Sequence, residues 1–444
     1  MVQVPSGVRT RKLLPRLLAA GFATAALSAL SCAFAGLSSR PPVQDRPRVS
    51  RADADPFAAR PLVQTVSLKS LASHRMKQSF WRRLPGDIAA VFTAPLRIRK
   101  LLTITKEVIE EMKRQRMPSS GSSSSGSSKT KMLQDLLPIY AMSHVISRTE
   151  PEYYRDLLNT SLNLLVDSIS AKEPSPFEPF HKAIRGPGLD YYSWGNNFFR
   201  SMVKFRSSRV EGVEHVKTIK ELLSKGENVI LLANHQTEAD PQVLSLLLET
   251  VGYEELAEKA IFVAGHKVTT DPLAVPFSLG RNLLTIFSKK YLDSFGEEEK
   301  AAKSKRNQET VSEMQKLFQE GGNLIWVAPS GGRDRKSAET GRFEPAAFDM
   351  QSVGLFYLLA QKAAKGGGPK THFVPLAMWS HQLVPPPDDA KAAVGEDRSV
   401  KRANVALEFG APMDPEALGG RKKFPAAAEK QVRDQYSHLD KVMR

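Results

Sequence analysis

A chain of 444 residues that is 41% apolar and 25% charged can bury one large core or two moderate ones, which excludes disorder as its default state. Its net charge of +16 is uneven: residues 1–75 hold 11 Lys/Arg against 3 Asp/Glu, so half of the excess sits there, and the remainder still suits an acidic partner or a phosphorylated substrate. The single cysteine, Cys32, lies in that same segment, so a processed form would lack disulfides, cysteine-based zinc sites and thiol nucleophiles.

The chain opens with Arg9, Arg11, Lys12 and Arg16, then runs uncharged from Leu17 to Leu37. A basic start, an alanine-rich apolar stretch and the small residues of Ala33-Phe34-Ala35-Gly36 read as a signal peptide over about 1–35. Residues 36–75, rich in Arg, Ser, Ala and Pro and poor in acids, read as a transit peptide behind it. The SCAFAG junction resembles that of the bipartite leaders that carry proteins into algal plastids bounded by extra membranes. No run of 18 apolar residues follows residue 75, so the expectation for the rest is at most a peripheral membrane contact.

Residues 76–205 read as an all-helical unit, with apolar positions three and four apart in LRIRKLLTITKEVIEEMKRQ and YYRDLLNTSLNLLVDSI. The serine- and glycine-rich stretch 118–129 interrupts it as a linker, and its glycine spacing lacks the Lys-Ser/Thr of a phosphate loop. From residue 206 to 444 short apolar runs alternate with helical segments. The predicted strands are 228–233, 260–264, 283–287, 323–328, 372–377 and 404–409, with helices such as VLSLLLETV, ETVSEMQKLFQEG and MQSVGLFYLLAQKAA between them. That alternation predicts an α/β fold: a mixed, largely parallel sheet covered by helices, preceded by a smaller all-helical N-terminal domain.

In such sheets the working residues gather past the carboxyl ends of strands. Two near-twin stretches fall there, ANHQTEADPQV at 233–243 and AGHKVTTDPLA at 264–274, each with a His five residues before an Asp-Pro. The first follows a buried-strand pattern, and Asp240-Pro241 is placed to open a helix with Asp240 as its cap. A bulge between them can fold the Asp240 carboxylate onto His235, fixing the imidazole tautomer and freeing the other nitrogen as a base. The second stretch has no comparable following helix, and Lys267 beside His266 should lower that imidazole's basicity. A further strand end carries APSGGRDR, in which Gly331 and Gly332 allow a tight turn while Arg333 and Arg335 offer forked donors suited to phosphate. The SKK stretch at 288–290 adds a second basic cluster after the strand at 283–287. There is no G-x-S-x-G elbow, no Rossmann glycine fingerprint, no H-E-x-x-H and no cysteine nucleophile, which leaves general-base chemistry without a covalent intermediate as the best fit.

Across residues 177–400 the sequence resembles the soluble plastid glycerol-3-phosphate acyltransferases, within the acyltransferases that share N-H-x-x-x-x-D. The segments that carry the likeness are PFEPFHKAIRGPGLDYYSWGNNF, NHQTEADP, TDPLAVPFSLGRNLLTIFSKK, LIWVAPSGGRDR and FVPLAMWSHQLVPPP. The resemblance implies transfer of a fatty acyl group from acyl-acyl carrier protein, or acyl-CoA, to the sn-1 hydroxyl of glycerol 3-phosphate in a plastid stroma. It implies His235 as base, Asp240 as its partner, and Lys290, Arg333 and Arg335 as phosphate-binding residues, with no metal or other cofactor. Two positions depart from the family pattern: Tyr291 stands where a basic histidine is frequent, and His266 where an acid is frequent. A membrane-bound lysophosphatidate or lysolipid acyltransferase with the same dyad is the nearest alternative. It commonly carries Phe-Pro-Glu-Gly where this chain has Ala-Pro-Ser-Gly. A non-enzymatic carrier-protein or nucleic-acid binding module is the other alternative. Against it, no basic stripe interleaved with aromatics is present, and no nucleic-acid partner is expected.

Overall fold

The computed structural model describes residues 86–116, 136–171, 177–287, 292, 295–387 and 398–444. The chain divides into two compact units, Met1–Phe92 and Thr93–Arg444. The expected signal and transit segments lie outside the described residues, as do linker 118–129, Lys290 and Tyr291. Among the described residues no helix is long and apolar enough to cross a membrane.

The second unit is built on an eight-stranded sheet in the order β1-β5-β4-β6-β3-β9-β10-β2. The strands are β1 (Phe180–His181), β2 (Arg209–Glu211), β3 (Asn228–Ala233), β4 (Ile261–Gly265), β5 (Asn282–Ile286), β6 (Leu324–Val327), β9 (Thr371–Trp379) and β10 (Ala406–Phe409). A two-residue hairpin pair, β7 (Arg335–Lys336) and β8 (Phe343–Glu344), stands apart. The five central strands, β5 to β9 in that order, run parallel; β1 and β10 close the two sides antiparallel, and β2 pairs parallel with β10. The sheet is therefore mixed and largely parallel, as the alternation of apolar runs and helical segments predicts.

The six predicted strands all form, shifted by at most two residues at an end. β1, β2, β7 and β8 are two or three residues long, too short for any periodicity to announce them.

The uninterrupted apolar reading of NVILLA has a direct cause: β3 is central and covered on both faces. Val229, Leu231 and Ala233 enter one apolar cluster and Ile230 and Leu232 the other, as side chains alternating across a strand must. All five are fully buried, and each of the larger ones contributes roughly 1.5–3 kcal/mol. On the second face lie helices Glu297–Glu320, Met350–Lys365 and Gly420–Met443, through Phe318, Phe356 and Phe424. On the first lie helices Val213–Ser224, Asp240–Thr250 and Glu254–Lys259. Leu101, Ile104, Tyr140, Tyr154 and Leu158 of the helical N-terminal region belong to that same cluster.

Helix Asp240–Thr250 is thereby enclosed. Val243, Leu244, Leu246, Leu247 and Leu248 are all buried, the pattern of a helix apolar around its whole girth. Enclosure fixes the helix that begins at Asp240, and with it the site at its N-terminal end.

Candidate active site

Past the carboxyl end of β3 the chain leaves the sheet as Asn234-His235-Gln236-Thr237-Glu238-Ala239 and turns into helix Asp240–Thr250. The turn closes through Asp240 N–H donating to the Thr237 carbonyl at 3.0 Å and Ala239 N–H donating to Thr237 Oγ1 at 3.2 Å. Asp240 is the first helical residue and Ala239 the cap, a correction to the expectation that Asp240 itself caps. The reason is that its carboxylate folds back over the loop instead of onto the helix's first turn. Oδ2 accepts His235 Nδ1 at 2.8 Å, Gln236 N–H at 2.8 Å and Thr237 N–H at 3.2 Å, while Oδ1 accepts Ser380 Oγ at 2.6 Å. Asp240 is fully buried, and the His235 side chain keeps 26% exposure.

A buried carboxylate needs its lone pairs satisfied, and this one is met by four donors, so its position is strongly determined. An Nδ1–H donated to Oδ2 fixes the tautomer and presents Nε2 as the basic nitrogen. Trp326 on β6 meets the His235 ring edge to face, with centroids 5.7 Å apart, and limits its rotation.

The loop after β6 is tied to the same strand end. Asp334 N–H donates to the His235 carbonyl. The fully buried Asp334 carboxylate accepts Asn234 Nδ2 at 2.7 Å and Ala346 N–H at 2.9 Å. Asn234 also bridges to β9, donating to the Met378 carbonyl at 3.0 Å and accepting Met378 N–H at 2.7 Å. Gln236 adds a second tie: its Oε1 accepts Ser380 N–H at 2.8 Å and its Nε2 donates to Tyr436 Oη at 2.9 Å. Of the two glycines of the turn, Gly331 takes a left-handed φ of +66°, where a side chain would be strained; Gly332 does not, and needs glycine for no conformational reason.

Arg333 and Arg335 flank Asp334. Arg335 Nη1 donates to the backbone carbonyls of Arg333 at 3.2 Å and Asp334 at 3.1 Å. Arg333 Nη1 stands 3.6 Å from Glu238 Oε1, inside the His235 loop. His235, Asp240, Arg333 and Arg335 are thus brought onto two adjoining loops; Lys290 lies outside the described residues.

The second His-x4-Asp stretch is organised differently. Asp271 holds Arg398 Nη2 at 2.8 Å and accepts Leu273 N–H at 2.9 Å. His266 stacks on Phe287, with centroids 5.3 Å apart. Its basicity is lowered first by burial and then by Lys303 and Lys267, so the sequence neighbour Lys267 acts as expected but is the smallest of the three causes.

Sequence reasoning did not single out Gln236, Glu238, Asp334, Ser380 or Arg398, and it read Asn234 only as a turn residue. All but Arg398 stand inside the quoted motif segments, where their types alone do not reveal that they face each other.

Asp334 carries a pH consequence. Burial, partly opposed by the hydrogen bonds from Ala346 and Asn234, raises its carboxyl from 3.8 to about 6. A folded value above the unfolded one means that the unfolded chain gives up this proton first as pH rises. Stability contributed at low pH is then lost between about 4 and 6, by on the order of 3 kcal/mol. The urea midpoint of Asp334→Asn, compared with the parent from pH 4 to 7, is expected to lack this downward component. Parallel pH profiles for the two proteins would contradict it.

Residues 208–379 match the family model described as Acyltransferase. The chain is 39% identical over 284 residues to the chloroplastic glycerol-3-phosphate acyltransferase ATS12 of Cucurbita moschata, covering 64% of this chain and 59% of that protein. It is 40% identical over 252 residues to the chloroplastic enzyme of Spinacia oleracea, covering 56% and 52%. The chain thus spans between half and six tenths of the length of these curated relatives. A solved 1-acyl-sn-glycerophosphate acyltransferase from Thermotoga maritima aligns with 70% of this chain at 16% identity and a TM-score of 0.35. Residues 208–379, which match that family model, hold both loops of the site, in a chain similar to chloroplastic glycerol-3-phosphate acyltransferases.

Proposed function

We propose that this protein transfers a fatty acyl group from a thioester donor to the sn-1 hydroxyl of glycerol 3-phosphate, giving 1-acyl-glycerol 3-phosphate, in a plastid. The donor in this reading is acyl-acyl carrier protein, with acyl-CoA as the other thioester of the same chemistry. The observation that carries it is the 2.8 Å His235–Asp240 bond set beside two arginines on an adjoining loop.

In this reading His235 Nε2 takes the hydroxyl proton as that oxygen attacks the thioester carbonyl carbon. Asp240 holds the ring and stabilises the imidazolium that forms. The tetrahedral intermediate collapses with cleavage of the carbon–sulfur bond, and the departing sulfur takes the proton back from His235. Arg333 and Arg335, with Lys290, bind the phosphate and so hold the hydroxyl in line with the base. The names of the curated relatives support the acceptor and the plastid. The body's residual positive charge favours encounter with an acidic carrier. The complex algal plastid rests on the bipartite character of residues 1–75 alone. The domain division carried with this reading is leader 1–75, helical 76–205 and catalytic 206–444.

The test incubates purified protein with glycerol 3-phosphate and either acyl-carrier protein or acyl-CoA, and measures free carrier thiol together with the lipid product. The expected result is 1-acyl-glycerol 3-phosphate in step with thiol release. Thiol release that does not depend on glycerol 3-phosphate would overturn the choice of acceptor.

A further inference from the structure

Asp240 meets its partners unevenly. Oδ2 accepts three donors, His235 Nδ1, Gln236 N–H and Thr237 N–H, and all three belong to the loop that leads into Asp240. Among the described residues the donor to Oδ1 is Ser380 Oγ, at 2.6 Å and 140 positions along the chain. Asp240 and Ser380 are both fully buried. A carboxylate oxygen offers two lone pairs, so an oxygen serving three donors is crowded. Rotation about Cβ–Cγ would spread those donors over both oxygens and draw Oδ2 away from the imidazole.

The sheet sets Ser380 against that rotation. Ser380 directly follows β9, which lies beside β3 with Leu376 opposite Ala233. Its N–H donates to Gln236 Oε1 at 2.8 Å, and its carbonyl accepts Leu383 N–H at 3.0 Å. Two residues earlier, Asn234 holds Met378 by both its backbone N–H and its carbonyl. These ties all engage the backbone of Met378 and Ser380. The hydroxyl is therefore aimed by groups that a change of the Ser380 side chain leaves in place.

We propose that Ser380 is a positioning residue of the dyad: its hydroxyl pins Asp240 Oδ1 to the end of β9, which holds Oδ2 on His235 Nδ1, keeps the proton on that nitrogen and leaves Nε2 bare. A hydrogen bond from a hydroxyl to a buried carboxylate is among the stronger kinds, which suits it to fix the rotation. The inference rests on the general-base reading above for its kinetic consequence, while its effect on the ring concerns the dyad alone.

The test replaces Ser380 by Ala, Thr and Val in the full chain. It combines steady-state kinetics with nitrogen nuclear magnetic resonance of histidine-labelled protein, in which the His235 signals are identified by their loss in His235→Gln. Ser380→Ala is expected to lower kcat by about ten- to a hundredfold and to leave the KM for glycerol 3-phosphate within a few fold. Thr and Val share a shape and differ in the hydroxyl, so Ser380→Thr should keep most of the parent's kcat and Ser380→Val should fall with alanine. In the alkaline range, where an imidazole is neutral, His235 in the parent should show one protonated and one bare nitrogen. In the alanine and valine variants the two signals should move toward each other, as in a ring exchanging tautomers. A role confined to packing would lower the melting temperature and leave the nitrogen pattern of the folded protein unchanged. Thermal melting followed by near-ultraviolet circular dichroism identifies the folded variants. A parent-like nitrogen pattern in folded Ser380→Ala or Ser380→Val overturns the inference, as does a folded threonine variant no faster than the valine one. If the parent fails to acylate glycerol 3-phosphate, the acceptor reading falls and the nitrogen pattern alone decides: altered in alanine and kept in threonine, it supports the inference.

Discussion

Replacing His235 with alanine is expected to lower kcat for acyl transfer by about a hundred- to ten-thousandfold while leaving glycerol 3-phosphate binding largely intact. Among the described residues the His235 imidazole is the base that the Asp240 carboxylate orients. The phosphate-suited arginines reside on a separate loop after β6, held by Asp334 and not by the ring. The informative control is His266→Ala, whose rate should stay within a few fold of the parent. That ring stacks on Phe287, burial disfavours its charged form, and the Asp271 five residues on is engaged with Arg398. Near-normal turnover in the His235 variant, or a dead His266 variant, would reverse the assignment of the base.

Asp240→Ala is expected to cost both rate and fold. The carboxylate is fully buried and receives His235 Nδ1, Gln236 N–H, Thr237 N–H and Ser380 Oγ. Alanine leaves all four donors facing a void, and stability should fall by about 3–5 kcal/mol, as for removal of one member of a buried charged pair. Asp240→Asn keeps the volume but turns an NH2 toward donors. It should be less destabilised than alanine and comparably slow, because the ring loses the acceptor that fixes its tautomer. Urea denaturation separates the two effects. A melt unchanged from the parent in Asp240→Ala would mean that the carboxylate does not organise this loop.

Much of the fold was legible because the sheet is central and covered on both faces. The runs VILLA of β3 and LIWV of β6 must then be apolar throughout, and they stand out against the polar residues that bound them. Two-residue strands leave no such trace. The dyad was legible for a local reason: five residues separate His235 from Asp240, so a single turn brings them together, and Pro241 marks where the helix starts. The capping role assigned to Asp240 failed because its carboxylate had a better set of donors in the loop behind it than in the helix ahead.

By itself, the sequence determined the order of the longer strands and helices, the spacing that brings His235 and Asp240 together, and the glycine-arginine turn, since each is written in spacings of a few residues. Only the tertiary structure decided which of the remaining polar groups meet. Asn234 reaches Asp334 across 100 residues and Met378 across 144, and Glu238 reaches Arg398 across 160. Pairings of that span depend on which strands lie side by side in the sheet, here β3 between β6 and β9, and residue type carries no record of it. The two His-x4-Asp stretches show the division: their letters are nearly the same, but one aspartate turns to its histidine and the other to an arginine more than a hundred residues away. Burial and long-range charge pairing, not local spacing, separate them.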